Sequence, residues 1–263
     1  MRICDIIKEM ERIAPPYLAE KWDNSGFLLG DAENQAGRVF FCLEINSETL
    51  KQAQHFGASL IITHHPLIFK PLSRITENDP TGRLVISLIK SGISVYSMHT
   101  NFDKAEGGMN DLLADALGLE DVRAYSEEEC VSSSGAPLDN IGRVGYLEPP
   151  MSLEDFADFV RATLGSKALR TVGNPIEEIR TVAVCSGSGG DLMECALHAD
   201  ADVYLTADIG HHDAQFASEI GLNIIDAGHF ETENIFCDFM EEYFEDNFPE
   251  IETAKALTES YFN

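Results

Sequence analysis

The chain has 263 residues, 44% of them hydrophobic and 24% charged, the make-up of a globular protein with one large core or two smaller ones and not of a disordered chain. Its 45 Asp and Glu against 18 Lys and Arg give a formal charge of -27, which disfavours long nucleic acid and anionic membrane as partners and would draw in divalent cations, although for most of these carboxylates solubility or adaptation to salt is the preferred reading. Cys4, Cys42, Cys130, Cys185, Cys195 and Cys237 form no C-x-x-C pair and mostly sit in apolar segments, a pattern of free thiols in a reducing compartment.

The amino-terminal stretch carries charges every few residues and lacks the apolar core of a signal peptide. No apolar run approaches the roughly 20 residues that span a bilayer, so the sequence predicts a cytoplasmic protein. Ile3, Ile6, Ile7, Met10 and Ile13 repeat at helical spacing until Pro15-Pro16 ends the helix. After the loop Trp22-Asp23-Asn24-Ser25-Gly26, strands are predicted at 39–45, 59–63, 93–98, 181–185, 202–205 and 222–226. Helices are predicted at 47–56, 80–91, 108–117, 191–199, 211–220 and 232–245. Such alternation is that of an α/β protein with helices packed on its sheets.

Between Tyr125 and Pro175 the character changes. A polar stretch from Ser126 to Gly135 precedes a short strand (141–147), a helix opened by the capping pattern Ser152-x-x-Asp155, and another short strand (168–172). The expected organisation is therefore a main α/β region from 1–124 and 176–263, with a smaller middle lobe at 125–175.

Three predicted strands end in side chains that bind metals. Strand 59–63 runs into His64-His65-Pro66; alone, that pair reads sooner as buried structural histidines than as ligands. Strand 93–98 leads to His99 and Asp103, where His99 can be a packed neighbour of the site and Asp103 a loop or capping residue. Strand 222–226 leads to His229 and Glu233, four apart at a helix start and so on one face, although Glu233 can also cap and His229 can be a surface residue. Together, His64, His65, Asp103, His229 and Glu233 exceed the needs of one tetrahedral ion and suit two divalent ions, with Glu233 as the bridge. Nitrogen and oxygen ligands without cysteine favour zinc, iron, manganese or cobalt.

A fourth strand, 202–205, delivers Asp208, His211 and His212, candidates for catalytic proton transfer that read as well as the first turn of a helix, with Asp213 favouring its dipole. The glycine run Ser186 to Gly190 exposes backbone N–H groups that can receive a phosphate, or simply makes a tight strand-to-helix turn.

Trp22-Asp-Asn-Ser-Gly26, Ile62-Thr-His-His-Pro66, His99-Thr-Asn-Phe-Asp103 through Gly108, and Asp226-Ala-Gly-His-Phe-Glu-Thr-Glu233 resemble, in order, the motifs of the GTP cyclohydrolase I type 2 homologue family, also called the Nif-three-like proteins. The resemblance implies two intertwined α/β lobes with mixed sheets, and a dinuclear metal site of the same five ligands at strand carboxyl ends between the lobes. It also implies a toroidal homohexamer, a trimer of dimers, in the compact form without a PII-like insertion. One departure is Glu44, where the family tends to have Asp.

Three functions follow as expectations. The first is a metal-dependent hydrolase opening the ring of a nucleotide or similar small molecule, and the second a metal-dependent phosphoesterase. The third is an oligomeric metal-binding or partner-binding protein without catalysis.

Overall fold

The computed structural model describes residues 1–125, 130–131, 137–138 and 141–262, so most of the polar stretch from Ser126 to Gly135 lies outside the described residues. In chain order the first elements are α1 (Ile3–Ile13), β1 (Gly26–Leu29), β2 (Arg38–Cys42), α2 (Ser47–Phe56), β3 (Leu60–Thr63), α3 (Pro80–Ser91), β4 (Ser94–Ser97) and α4 (Thr100–Lys104). Next come α5 (Met109–Ala116), β5 (Glu120–Ala124), the short pair β6 (Cys130–Val131) and β7 (Pro137–Leu138), β8 (Arg143–Ser152), α6 (Leu153–Leu164) and β9 (Arg170–Val172). The chain continues through β10 (Glu178–Ser188), α7 (Met193–His198), β11 (Val203–Ala207), α8 (His211–Ile220), β12 (Asn223–Asp226), α9 (His229–Glu233), α10 (Ile235–Asn247) and β13 (Glu252–Lys255).

The elements fall into two compact units, one of Met1–Glu106 with Phe236–Glu259, the other of Gly107–Ile235 with the last residues from Ser260. Each unit has a mixed sheet, which establishes the α/β class. The first runs β1-β4-β3-β2-β13, parallel except for β1. The second runs β5-β8-β10-β11-β12-β9, with a parallel centre of β10, β11 and β12.

In the first unit every residue of β3 and β4 is buried, as expected of parallel strands covered on both faces. Phe40, Ile61, Val95, Leu50 and Leu88 pack in one cluster, which brings α2 and α3 onto the sheet. The helix ends follow local chemistry. Asn46 accepts from the N–H groups of Glu48 and Thr49 to start α2, and Asp79 accepts from Gly82 at the start of α3, where Pro80 costs no bond. The apolar face of α10 closes on the same unit, with the Phe244 ring 5.0 Å from that of Phe41. Burial raises the thiol pKa of Cys42, and burial first and then the Asp238 charge push Cys237 up to about 12, so these two stay protonated and inert.

In the second unit α5 and α6 cover one face of the sheet, where Leu113, Phe156, Val160, Val182 and Leu205 meet. On the opposite cluster, buried Tyr125 and Tyr204 donate their hydroxyls to the carbonyls of Val184 and Gly189, which satisfies the one polar atom of each ring.

Within 141–175, β8 pairs antiparallel with β10 and β9 with β12, so these strands belong to the second unit's own sheet. The helix expected at 232–245 is two helices. The first begins at His229, directly after Gly228 in a positive-φ conformation, and ends at Asn234, whose N–H binds the Phe230 carbonyl. No helix among the described residues is long and apolar enough to cross a membrane.

Phe156 is fully buried at the centre of its cluster. Phe156→Ala is expected to destabilise the protein by about 3–5 kcal/mol, read as a lower urea midpoint by far-UV circular dichroism. An unchanged midpoint would show that this ring is not part of the core.

Candidate metal centre

In the first unit β3 and β4 are parallel neighbours with Thr63 opposite Ser97, so the residues after both strands emerge at one sheet edge. The Thr63 hydroxyl donates to the His65 carbonyl at 2.8 Å, and the His65 N–H donates to the Leu43 carbonyl at 2.8 Å. These bonds hold the turn that carries the two imidazoles.

His64 is fully buried and its Nδ1 lies 2.7 Å from the carbonyl oxygen of Met98. A carbonyl only accepts, so Nδ1 carries the proton and Nε2 presents its lone pair. That Nε2 stands 3.5 Å from Oδ1 of buried Asp103 on α4. His65 keeps Nδ1 3.5 Å from Oε2 of Glu44, which places the longer acid beside the histidine pair. One ring nitrogen from each of His64, His65 and His99 lies within 4.8 Å of the others.

His99 is the residue that sequence reasoning left outside the ligand set. Its Nδ1 donates to Oδ1 of Asp23 at 2.7 Å. The Asp23 side chain is wholly removed from solvent and also accepts from the Ser25 hydroxyl at 2.6 Å and from the Thr100 hydroxyl at 2.6 Å. Burial works to raise its pKa, but the bonds and charge of His99, with the Ser25 and Thr100 bonds, outweigh it and hold the carboxyl well below the usual range. The Trp22-Asp23-Asn24 loop thus belongs beside the histidines, a placement that no spacing in the sequence could provide. Asn24 donates its amide to the Ile68 carbonyl, and the ring of Trp22 stands edge-on to Phe69 at 6.0 Å and to His99 at 6.3 Å.

In the second unit β11 and β12 are parallel with Thr206 opposite Asp226, and again the following residues share an edge. Asp208 sits in a left-handed backbone conformation at φ 59°, unusual for a residue with a side chain, and its Oδ2 accepts from Nδ1 of His229 at 2.7 Å. The proton on Nδ1 leaves Nε2 facing Oε2 of Glu233 at 3.1 Å. A lone pair and a carboxylate oxygen repel at that distance, and a cation shared between them removes the conflict. His64 Nε2 and Asp103 pose the same problem with the same answer, so the donor sets of both units fit a divalent ion.

Gly187, at φ 61°, is the feature of the glycine run that matters here. A Cβ at this position would collide with Oε1 of Glu233 and lie 3.2 Å from Nε2 of His229, while its N–H donates to the Thr232 hydroxyl at 3.0 Å. The glycine gives clearance to two candidate ligands, and β10 continues through Ser188 where a phosphate-binding turn was one expectation.

Asp208 is engaged with His229, but His211 and His212 stand exposed at the first turn of α8, with ring centroids 5.4 Å apart. Neither joins a group of three or more possible ligands among the described residues. Asp213 takes its first-turn role, accepting from the Gly210 N–H at 2.9 Å. Gly187→Ala is expected to lower stability by about 1–3 kcal/mol, visible as a reduced melting temperature, from left-handed strain alone and more from the collision with Glu233. A melting curve identical to wild type would remove the clearance role.

The chain matches the Duf34/NIF3 (NGG1p interacting factor 3) family over residues 1–260. It is 39% identical over 233 residues to a protein of Clostridium perfringens named GTP cyclohydrolase 1 type 2 homolog, covering 89% of this chain and 87% of that one. NIF3-like protein 1 of Drosophila melanogaster is 31% identical over 239 residues, covering 89% and 79%. Among solved structures, a Bacillus cereus protein related to NIF3 superposes with a TM-score of 0.89 at 25% identity, covering 100% of this chain and 98% of the other. With the family model matched over almost the full length, the chain belongs to the DUF34/NIF3 family.

Proposed function

We propose that this protein is a dinuclear-metal-dependent hydrolase that opens the ring of a nucleotide, with His64, His65, Asp103, His229 and Glu233 as the ligands of two divalent ions. The single observation that supports it most is the treatment of the imidazoles. His64, His99 and His229 each commit Nδ1–H to a fixed acceptor, Met98, Asp23 and Asp208 respectively, and so offer Nε2. Structural histidines have no need of such uniform orientation.

Ions of zinc, iron, manganese or cobalt would supply Lewis-acid polarisation and water activation near neutral pH. The chain's own residues do the rest. Asp208 fixes the tautomer of His229, and Asp23 does the same for His99, which stands as a further possible ligand or as an acceptor for a proton at Nε2. With Asp208 occupied in this way, proton transfer to the leaving atom falls to His211 or His212. The names of the relatives point to GTP as the first substrate to try.

Asp208→Asn is expected to weaken zinc affinity roughly 10–100-fold in competition with a chromophoric chelator, since an amide orients the ring less firmly than a carboxylate. Wild-type affinity in this variant would mean that His229 is not a ligand.

The activity test follows ring opening and phosphate release in parallel on GTP, with wild type and Asp103→Ala prepared identically. Ring opening lost in the variant supports the proposal. Phosphate release alone would replace it with a phosphoesterase, and equal background in both proteins would favour a non-catalytic metal-binding role. Under the proposal, His211→Ala or His212→Ala lowers turnover by more than it lowers metal content.

A further inference from the structure

The second unit holds a cavity of about 310 Å³ beside His229, bounded by Ser166, Arg170, Asp208, Asp226, His229 and Glu231. That volume is at the lower end of small-molecule sites. Two of its three carboxylates are already occupied. Buried Asp226 accepts from the Arg170 guanidinium, from the Ile209 N–H at 3.1 Å and from the Gly228 N–H at 3.3 Å. Asp208 serves His229.

Glu231 is different. Only 9% of it is exposed, it lines the cavity, and its carboxylate accepts no hydrogen bond among the described residues. Ser166, 3% exposed, likewise brings to the cavity a hydroxyl without a hydrogen bond among the described residues. The position of Glu231 is built in: its carboxylate lies over Gly228, where any Cβ would collide with Oε2. With no donor to it among the described residues, the Glu231 carboxylate on the cavity wall is open to a ligand that brings N–H groups in place of cavity water. The two coplanar oxygens of a carboxylate match two parallel N–H donors on a flat edge.

Resting on the nucleotide reading above, we propose that this cavity is the base subsite, in which Glu231 accepts from the ring N–H and exocyclic amine of a guanine-type ring and Ser166 adds a hydrogen bond. Glu231 lies on α9 between His229 and Glu233, so the same short helix would hold the ring and carry two of the proposed ligands. The chemistry sets the specificity. Adenine turns an acceptor nitrogen toward the carboxylate and is rejected, while inosine, lacking the exocyclic amine, keeps one bond of two.

Equilibrium dialysis of the full-length protein against guanosine, inosine and adenosine tests this, with ion content measured on the same samples. Guanosine is expected to bind most tightly, inosine less so, and adenosine at least roughly tenfold more weakly than guanosine. Glu231→Gln, which replaces an acceptor by a donor, is expected to lose roughly tenfold or more of the guanosine affinity. Ala168, exposed at the rim of the cavity, provides a second variant should Glu231→Gln fold poorly, because Ala168→Phe narrows the entrance without touching the core. Equal binding of guanosine and adenosine, or wild-type affinity in either folded variant, overturns the assignment. Absence of guanosine binding in protein that holds two ions per chain overturns it while leaving the metal centre in place. Glu231-dependent binding in protein that takes up no ions would do the reverse.

Discussion

A neutral imidazole has one proton for two nitrogens, and the partner that takes this proton decides which nitrogen can face a ligand. In this protein the decision is made by acceptors fixed in the backbone or in loops: a carbonyl for His64, the solvent-free carboxylate of Asp23 for His99, and a left-handed Asp208 for His229. Much of the local architecture serves these bonds. The Trp22 loop is tethered so that Asp23 stays behind His99, β11 ends in a strained aspartate, and β10 carries a glycine where a methyl group would strike Glu233. Strain, desolvation and a lost side chain are each tolerated beside these imidazoles.

The two units solve the same geometric problem in the same way. Adjacent parallel strands in register, β3 with β4 and β11 with β12, deliver polar residues to one edge, where the sheet's own hydrogen bonding no longer constrains the chain. Apolar strands fix the positions, and the loops supply the chemistry.

Much of this was legible from residue patterns because the central strands are nearly pure in character. Leu60-Ile61-Ile62-Thr63 has a single reading, and the histidines that follow it acquire their meaning from that strand. What the patterns concealed lay at the margins. β1, β5 and β13 went unrecognised, and all three are sheet edges, where solvent and not a core chooses the side chains; β5 reads Glu-Asp-Val-Arg-Ala and is exposed throughout. The pairing of β8 with β10 was likewise not legible, because a strand's partner is chosen by tertiary contact and not by its own residue pattern. Asp23 lies 76 positions from His99, a separation across which no periodicity speaks.

The exposed ring of Trp22 carries a consequence of a different kind. It is the one tryptophan of the chain, and its ring centroid is 6.3 Å from that of His99. The indole emission of the whole protein therefore originates beside the imidazole cluster. A redox-active ion with a partly filled d shell in that neighbourhood opens a quenching path to the excited indole, whereas zinc, with its closed shell, opens none of that kind. Were such ions held there, the indole would serve as an internal optical label that separates them by class without any added dye.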